Sequence, residues 1–221
     1  MDKENLLQAY VDIETKTYVR SDKNAKLNDL IYSIESSEHA LILTDVFYLV
    51  NTLLDTNISI RHPFFLRVIY PVLSKGVEDN NIEAIKQLIK LFHYYGNFQN
   101  LTNDNKYGIW SLLTKGLQLS PFDKELLTIY ESRQEGYFDY TLHELPSGVL
   151  YGPNGATIEQ CDELLGDLAG YEEVCRKLNL NRWELINDCK FYYNSYKSYL
   201  TVHKNYNGFA DYLEQHGIAG K

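Results

Sequence analysis

Two stretches forty residues apart carry nearly the same sequence, and this constrains the fold more than any other feature of the chain. Val72-Leu73-Ser74-Lys75-Gly76-Val77-Glu78 returns as Leu112-Leu113-Thr114-Lys115-Gly116-Leu117-Gln118, every position identical or closely substituted. Outside that core, Ile69 and Tyr70 answer Ile109 and Trp110, while Asn80 and Glu83 answer Ser120 and Asp123. Each copy reads as a helix running into a glycine that takes the left-handed C-cap conformation, with Val77 or Leu117 folding back on Val72 or Leu112. A capping residue then opens the next helix, with an acid three positions on. Pro121 suits the first position of the helix after the second copy. Two helix–turn–helix units at this period predict a stacked helical array; an irregular helical bundle with two similar corners is the alternative.

The flanking sequence is helical in pattern as well. Leu6, Leu7, Tyr10 and Ile13 form one apolar stripe, and Leu27, Leu30, Ile31 and Ile34 a second. Ser37 is placed to cap a third helix carrying Leu41, Leu43, Val46, Phe47, Val50 and Leu54, and Pro63 suits the first turn of a fourth. From Tyr137 the texture changes. Tyr137–His143 and Val149–Tyr151 flank Pro146-Ser147-Gly148, the pattern of a small β-hairpin near 138–151, and Gly152-Pro153-Asn154-Gly155 is a turn-rich break. Thr157 and Gln160 then form a capping box for a helix to about Leu178. Asn181 and Glu184 start another toward His203, and a short helix runs from Phe209 to Gln215. The expected fold is all-α: a helical-repeat-like region over 1–136, a connector over 137–155, and a C-terminal helical hairpin over 156–221 packing on the first region.

Over Ile69–Ile129 the chain resembles a tetratricopeptide-type unit. Gly116-Leu117-Gln118-Leu119-Ser120-Pro121 is similar to the small-residue-to-proline stretch that closes the second helix of that repeat, and Leu113 stands where the family carries an aromatic. The period is forty rather than thirty-four, and Asn81 stands where the first copy would need proline. A HEAT-like solenoid matches the period equally well. Either resemblance implies protein or peptide binding rather than catalysis.

The chain's 221 residues bear a net charge of -9, with a pI of about 5.1. Such a surface repels phosphate backbones, so nucleic acid is not an expected partner; a basic protein is, through steering. The start, Met-Asp-Lys-Glu-Asn, has no apolar run behind it, and Ala40–Val50 is too short for a bilayer. A cytoplasmic location without membrane association is expected, with Cys161, Cys175 and Cys189 as reduced thiols. The 19 tyrosines, with abundant Asn, Lys and Ile, match the residue usage of an AT-rich bacterial genome.

No motif for chemistry is complete. Cys161, Cys175, Cys189 and His203 lie fourteen residues apart, a spacing that suggests zinc. On one helix, however, neighbours at that spacing stand about 21 Å apart, whereas zinc needs every ligand within about 2.3 Å. The cysteines are therefore expected in the core. His143-Glu144 opens like a zincin helix, but Ser147 replaces the second histidine and Pro146 breaks the helix. Gly152–Gly155 lacks the ending of a phosphate loop, and no G-x-S-x-G elbow is present. Gly166 and Gly170 form a GxxxG that reads as close helix packing. No metal or cofactor is expected. His143, Glu144 and Asp139 remain as acid–base candidates. Tyr192, Tyr196 and Tyr199 share one helical stripe that suits either an interface or the core.

The leading expectation is a non-enzymatic protein–protein interaction module, a helical scaffold or adaptor, with Tyr192, Tyr196, Tyr199, His143 and Glu144 as partner-binding candidates. Two alternatives are a bacterial immunity protein neutralising a basic toxin and an enzyme of a motif-poor class using His143 and Glu144.

Overall fold

The computed structural model describes residues 2–37, 40–92, 107–145 and 157–217, and among them every regular element is helical. They fall into two compact units, Met1–Pro121 and Phe122–Lys221. The all-α expectation holds.

The first unit begins with α1 (Lys3–Lys16), whose N-cap Asp2 accepts hydrogen bonds from the N–H groups of Glu4 and Asn5. The expected stripe, Leu6, Tyr10 and Ile13, is buried, as are Leu27, Leu30 and Ile31 of α2 (Arg20–Glu35). Tyr10 does more than fill space. Its hydroxyl donates to the Ser59 carbonyl at 2.8 Å and accepts from the Arg61 N–H at 2.6 Å, while its ring lies 4.3 Å from that of Phe64. One side chain thereby pins to α1 the connection that follows α3 (Leu43–Asp55). Ser37 does not cap α3; the helix starts at Leu43, where the Asp45 carboxylate accepts from the Ile42 N–H.

Pro63 sits in the first turn of α4 (His62–Phe64), as its fixed φ favours. The chain continues through a π-helical segment, Phe65–Ile69, into α5 (Tyr70–Glu78). The cause is Pro71, which brings no N–H and whose ring crowds the carbonyl four residues back. The preceding turn widens so that the Tyr70 N–H reaches the Phe65 carbonyl. Then come α6 (Ile82–Lys90) and α7 (Ile109–Leu119).

Both copies of the repeated motif are helices, in α5 and α7, and both pack on α6. The packed pairs are compatible with a helical-repeat arrangement, but the glycine's role differs from expectation. Gly76 is inside the helix, and a Cβ there would stand 2.7 Å from the Ala84 Cβ and 2.8 Å from Leu43 Cδ2. It is a close-approach residue between α5, α6 and α3. The left-handed position belongs to Asn80 (φ 59), with the Asn81 N–H bonded to the Gly76 carbonyl and the Asn80 N–H to that of Val77, a Schellman ending. Asn57 and Asn179 close α3 and the second unit's middle helix in the same way. The caps that follow the two copies are Asn81 and Asp123 rather than Asn80 and Ser120, and Pro121 precedes the helix instead of opening it.

The second unit is built on α8 (Lys124–Glu144), α9 (Ile158–Leu178) and α10 (Trp183–Val202), which pack pairwise, with α11 (Phe209–Gln215) folded against α10. The Thr157–Gln160 capping box opens α9 as expected. Residues 137–143, expected as the first strand of a hairpin, lie in the last turns of α8. Phe138, Thr141 and Leu145 recur at helical spacing and are buried, so core burial overrides the local strand preference of the aromatic run. The hairpin's other limb, Val149–Tyr151, and the break at 152–155 lie outside the described residues. The core consists largely of Phe138, Leu164, Leu168, Tyr171, Cys175, Cys189, Tyr193 and Tyr196, closed by Phe209 and Leu213. All three cysteines are buried and free. Lys190–Glu172 and Lys197–Asp162 ion pairs tie α10 to α9 along the surface.

Gly166 and Gly170 do not mark a close helix contact: a Cβ at Gly166 meets nothing within 4 Å, and one at Gly170 only the Tyr130 hydroxyl at 3.9 Å. Gly136, within α8, is equally open. Both Gly136 and Gly166 lie in helix interiors, where alanine is favoured by about 0.5–1 kcal/mol. The G136A/G166A variant is therefore expected to raise the midpoint of thermal unfolding, read by circular dichroism at 222 nm. A lowered midpoint would mean that these positions are packed.

Candidate functional site

Charge is unevenly shared. Residues 1–121 hold 14 acidic and 12 basic residues, a net -2, whereas residues 122–221 hold 16 and 9, a net -7. Within the second unit the acids are not all dispersed. An open cleft of about 520 Å³ lies where the start of α10 meets α8, lined by Glu135 and Asp139 from α8 and by Glu184 and Asp188 from α10. Each pair is spaced i, i+4 on its helix, a like-charge arrangement that costs an isolated helix a few tenths of a kcal/mol.

Two residues of the cleft lining, Arg182 and Glu135, belong to an ion cluster whose third charged member, Glu131, is buried. Glu131, on the core-facing side of α8, is 4 % exposed. It accepts from Arg182 Nε at 2.9 Å and from the Tyr171 hydroxyl of α9 at 3.3 Å. The same guanidinium grips both carboxylate oxygens of Glu135, at 2.9 and 3.0 Å. Arg182 thus fastens the α9–α10 turn to α8 in the bidentate geometry that guanidinium and carboxylate favour, and its pKa is held above the ordinary value chiefly by the hydrogen bond to Glu131. On the turn itself, Asn179 adopts the left-handed conformation, and Asn181 Oδ1 accepts the Trp183 N–H at 3.2 Å. Trp183 follows immediately, the residue 65 % exposed at the cleft.

No protein-family model, curated protein or solved structure matches this chain. The site therefore rests on its own geometry. Acidic side chains joined to an ion cluster stand here beside an exposed tryptophan, and an indole face in general attracts ammonium and guanidinium ions. Among the described residues no group of three or more His, Cys, Asp or Glu side chains is arranged to hold a metal ion, and no helix is long and apolar enough to cross a membrane.

The residues singled out by sequence fare unequally. Tyr196 is buried, and Tyr192 and Tyr199 are partly buried against the same core. The Tyr196 and Tyr199 rings stand 4.9 and 5.6 Å from that of Phe209, so the stripe serves largely to seat α11. His143 is exposed and Glu144 half-buried at the end of α8, and neither lines the cleft. Asp139 does line it. His203 is exposed, whereas the thiols with which its spacing had grouped it are buried. Trp183, Glu135, Glu184, Asp188 and Arg182 were not foreseen. The available signal was two i, i+4 acid pairs on two helical segments with a third between them, and a tryptophan opening the later one.

The buried thiols are chemically quiet. Burial pushes Cys161 and Cys189 up to about 11 from the ordinary 9.0, and raises Cys175 in the same direction. Little thiolate, the nucleophilic form, exists there at neutral pH.

Proposed function

We propose that this chain is a non-enzymatic protein-interaction module whose second unit receives a basic protein or peptide through the α8–α10 cleft. The observation that carries this reading is an exposed tryptophan standing beside four carboxylates in a unit of net charge -7. Tryptophan is enriched at interaction hot spots, and a cleft with an excess of one charge sign steers partners of the opposite sign. The packed helix pairs of the first unit support a scaffold of helical-repeat type, tetratricopeptide-like or HEAT-like.

The test is titration with an arginine-rich peptide, followed by calorimetry at two salt concentrations. Binding is expected to weaken with salt. W183A should weaken it roughly tenfold or more. D139N/D188N should weaken it too, since both remove negative charge from the lining. Undiminished binding by both variants would remove the cleft from consideration, and no binding by the wild type would remove the basic partner.

A further inference from the structure

We infer that Arg182 is the positioning residue of this cleft, holding Trp183 where a cationic ligand meets it; this rests on the reading of the cleft as a cation-binding surface. The Trp183 backbone opens α10, and Arg182 supplies no side-chain cap to that first turn. Its side chain turns instead to α8, where one guanidinium satisfies the buried Glu131 and both oxygens of Glu135. Tyr171 donates to the same Glu131, so α8, α9 and the α9–α10 turn meet at one point, one residue before the indole. A side chain as exposed as Trp183 gains little orientation from its own packing. A rigid neighbouring backbone is what holds such a group within the few tenths of an ångström that recognition needs.

This role and simple electrostatics predict opposite signs. Arg182 is the one cationic residue among the described residues lining the cleft, so removing it makes that lining more negative. Electrostatics alone then predicts tighter binding of a cation. Positioning predicts weaker binding, because the indole is released.

The experiment uses the full chain with W110F, which leaves Trp183 as the only tryptophan. R182Q is compared with R182Q/E131Q, whose two amides avoid a buried unpaired charge and so protect the fold. Two quantities are read: the fluorescence anisotropy of Trp183 without ligand, and the affinity for an octa-arginine peptide. Circular dichroism confirms that helix content is kept. The expected result is lower anisotropy together with affinity reduced about tenfold, the scale of loss when a residue supporting a binding group is removed. R182K, which keeps the charge but not the planar fork, is expected to behave like R182Q. Unchanged anisotropy in the helical double variant, or affinity equal to or above that of the parent, would overturn the inference. If the parent does not bind the peptide, the cation-binding reading fails, and the anisotropy comparison still decides whether Arg182 positions Trp183.

Discussion

Replacing Arg182 with methionine is expected to cost the Phe122–Lys221 unit about 3 kcal/mol, the lower end of what breaking a buried ion pair from one side costs. The reason is asymmetry. Glu131 is almost wholly buried, and without Arg182 its only remaining described partner is the Tyr171 hydroxyl. A carboxylate left in that position must remain charged without a counter-ion or take up a proton, and both cost stability. Arg182 itself is about a third exposed, which moderates the loss because water reaches its guanidinium. Domains are stable by only about 5–15 kcal/mol, so the change would be plain in urea unfolding. Removing both charges should reverse most of it. E131L/R182M replaces the pair with apolar side chains, and such replacements are often neutral or stabilising. If R182M cost less than about 1 kcal/mol, or if the double variant were no better than the single, the cluster would not be the strut described above.

A second large effect is expected in alkali. Cys161 and Cys189 are held protonated to about pH 11, chiefly by burial, and the hydroxyls of Tyr171 and Tyr193 are raised above the ordinary phenol range for the same reason. The unfolded chain releases its thiol protons near 9.0, so the folded state binds more protons above that pH. By linkage, the stability these groups confer is intact below pH 9 and is lost as pH climbs toward 11. Each thiol accounts for roughly 2–3 kcal/mol over that window, and the tyrosines extend the loss upward. Urea midpoints measured from pH 8 to 11 should therefore fall steeply, and C161A should make the fall shallower. The native thiols should also resist Ellman's reagent at pH 8 and react once urea exposes them. A flat pH profile, or rapid labelling of the native protein, would contradict the buried placement.

How much of this was legible in the sequence depends on how local the governing physics is. The Tyr10 and Leu27 stripes, the Thr157–Gln160 box and the last helix from Phe209 could be placed because each depends on residues within about one turn of one another. Gly76 was misread because a glycine that ends a helix and one that admits a neighbouring helix look alike in sequence; only Ala84 pressed against it tells them apart. Asn80, one of the few residue types that visit the left-handed region readily, took the ending instead. Residues 137–143 read as strand because aromatic and β-branched residues crowd there, while the weaker i, i+3, i+7 spacing of Phe138, Thr141 and Leu145 carried the true signal. The cleft was beyond sequence reading. Glu135–Asp139 and Glu184–Asp188 each look like an ordinary solvated helix face, and only tertiary packing sets one opposite the other.

The packing order of the helices has a kinetic consequence. Within the first unit α1 packs on α2, α5 on α6, and α6 on α7; within the second α8 packs on α9, α9 on α10, and α10 on α11. Contacts of this kind close short loops, and chains dominated by them cross their folding barrier quickly, within microseconds to milliseconds for helical bundles. As the polypeptide emerges, the first unit has every described helix it needs by Leu119, well before the second is assembled. The second has no such head start. Phe209, Tyr212 and Leu213 belong to its core, so the aromatic floor beneath Tyr196 and Tyr199 stays open to water until α11 arrives. In the interval the nascent chain exposes the tyrosine-rich face of α10, and that is the stage at which a chaperone would be of most use to it.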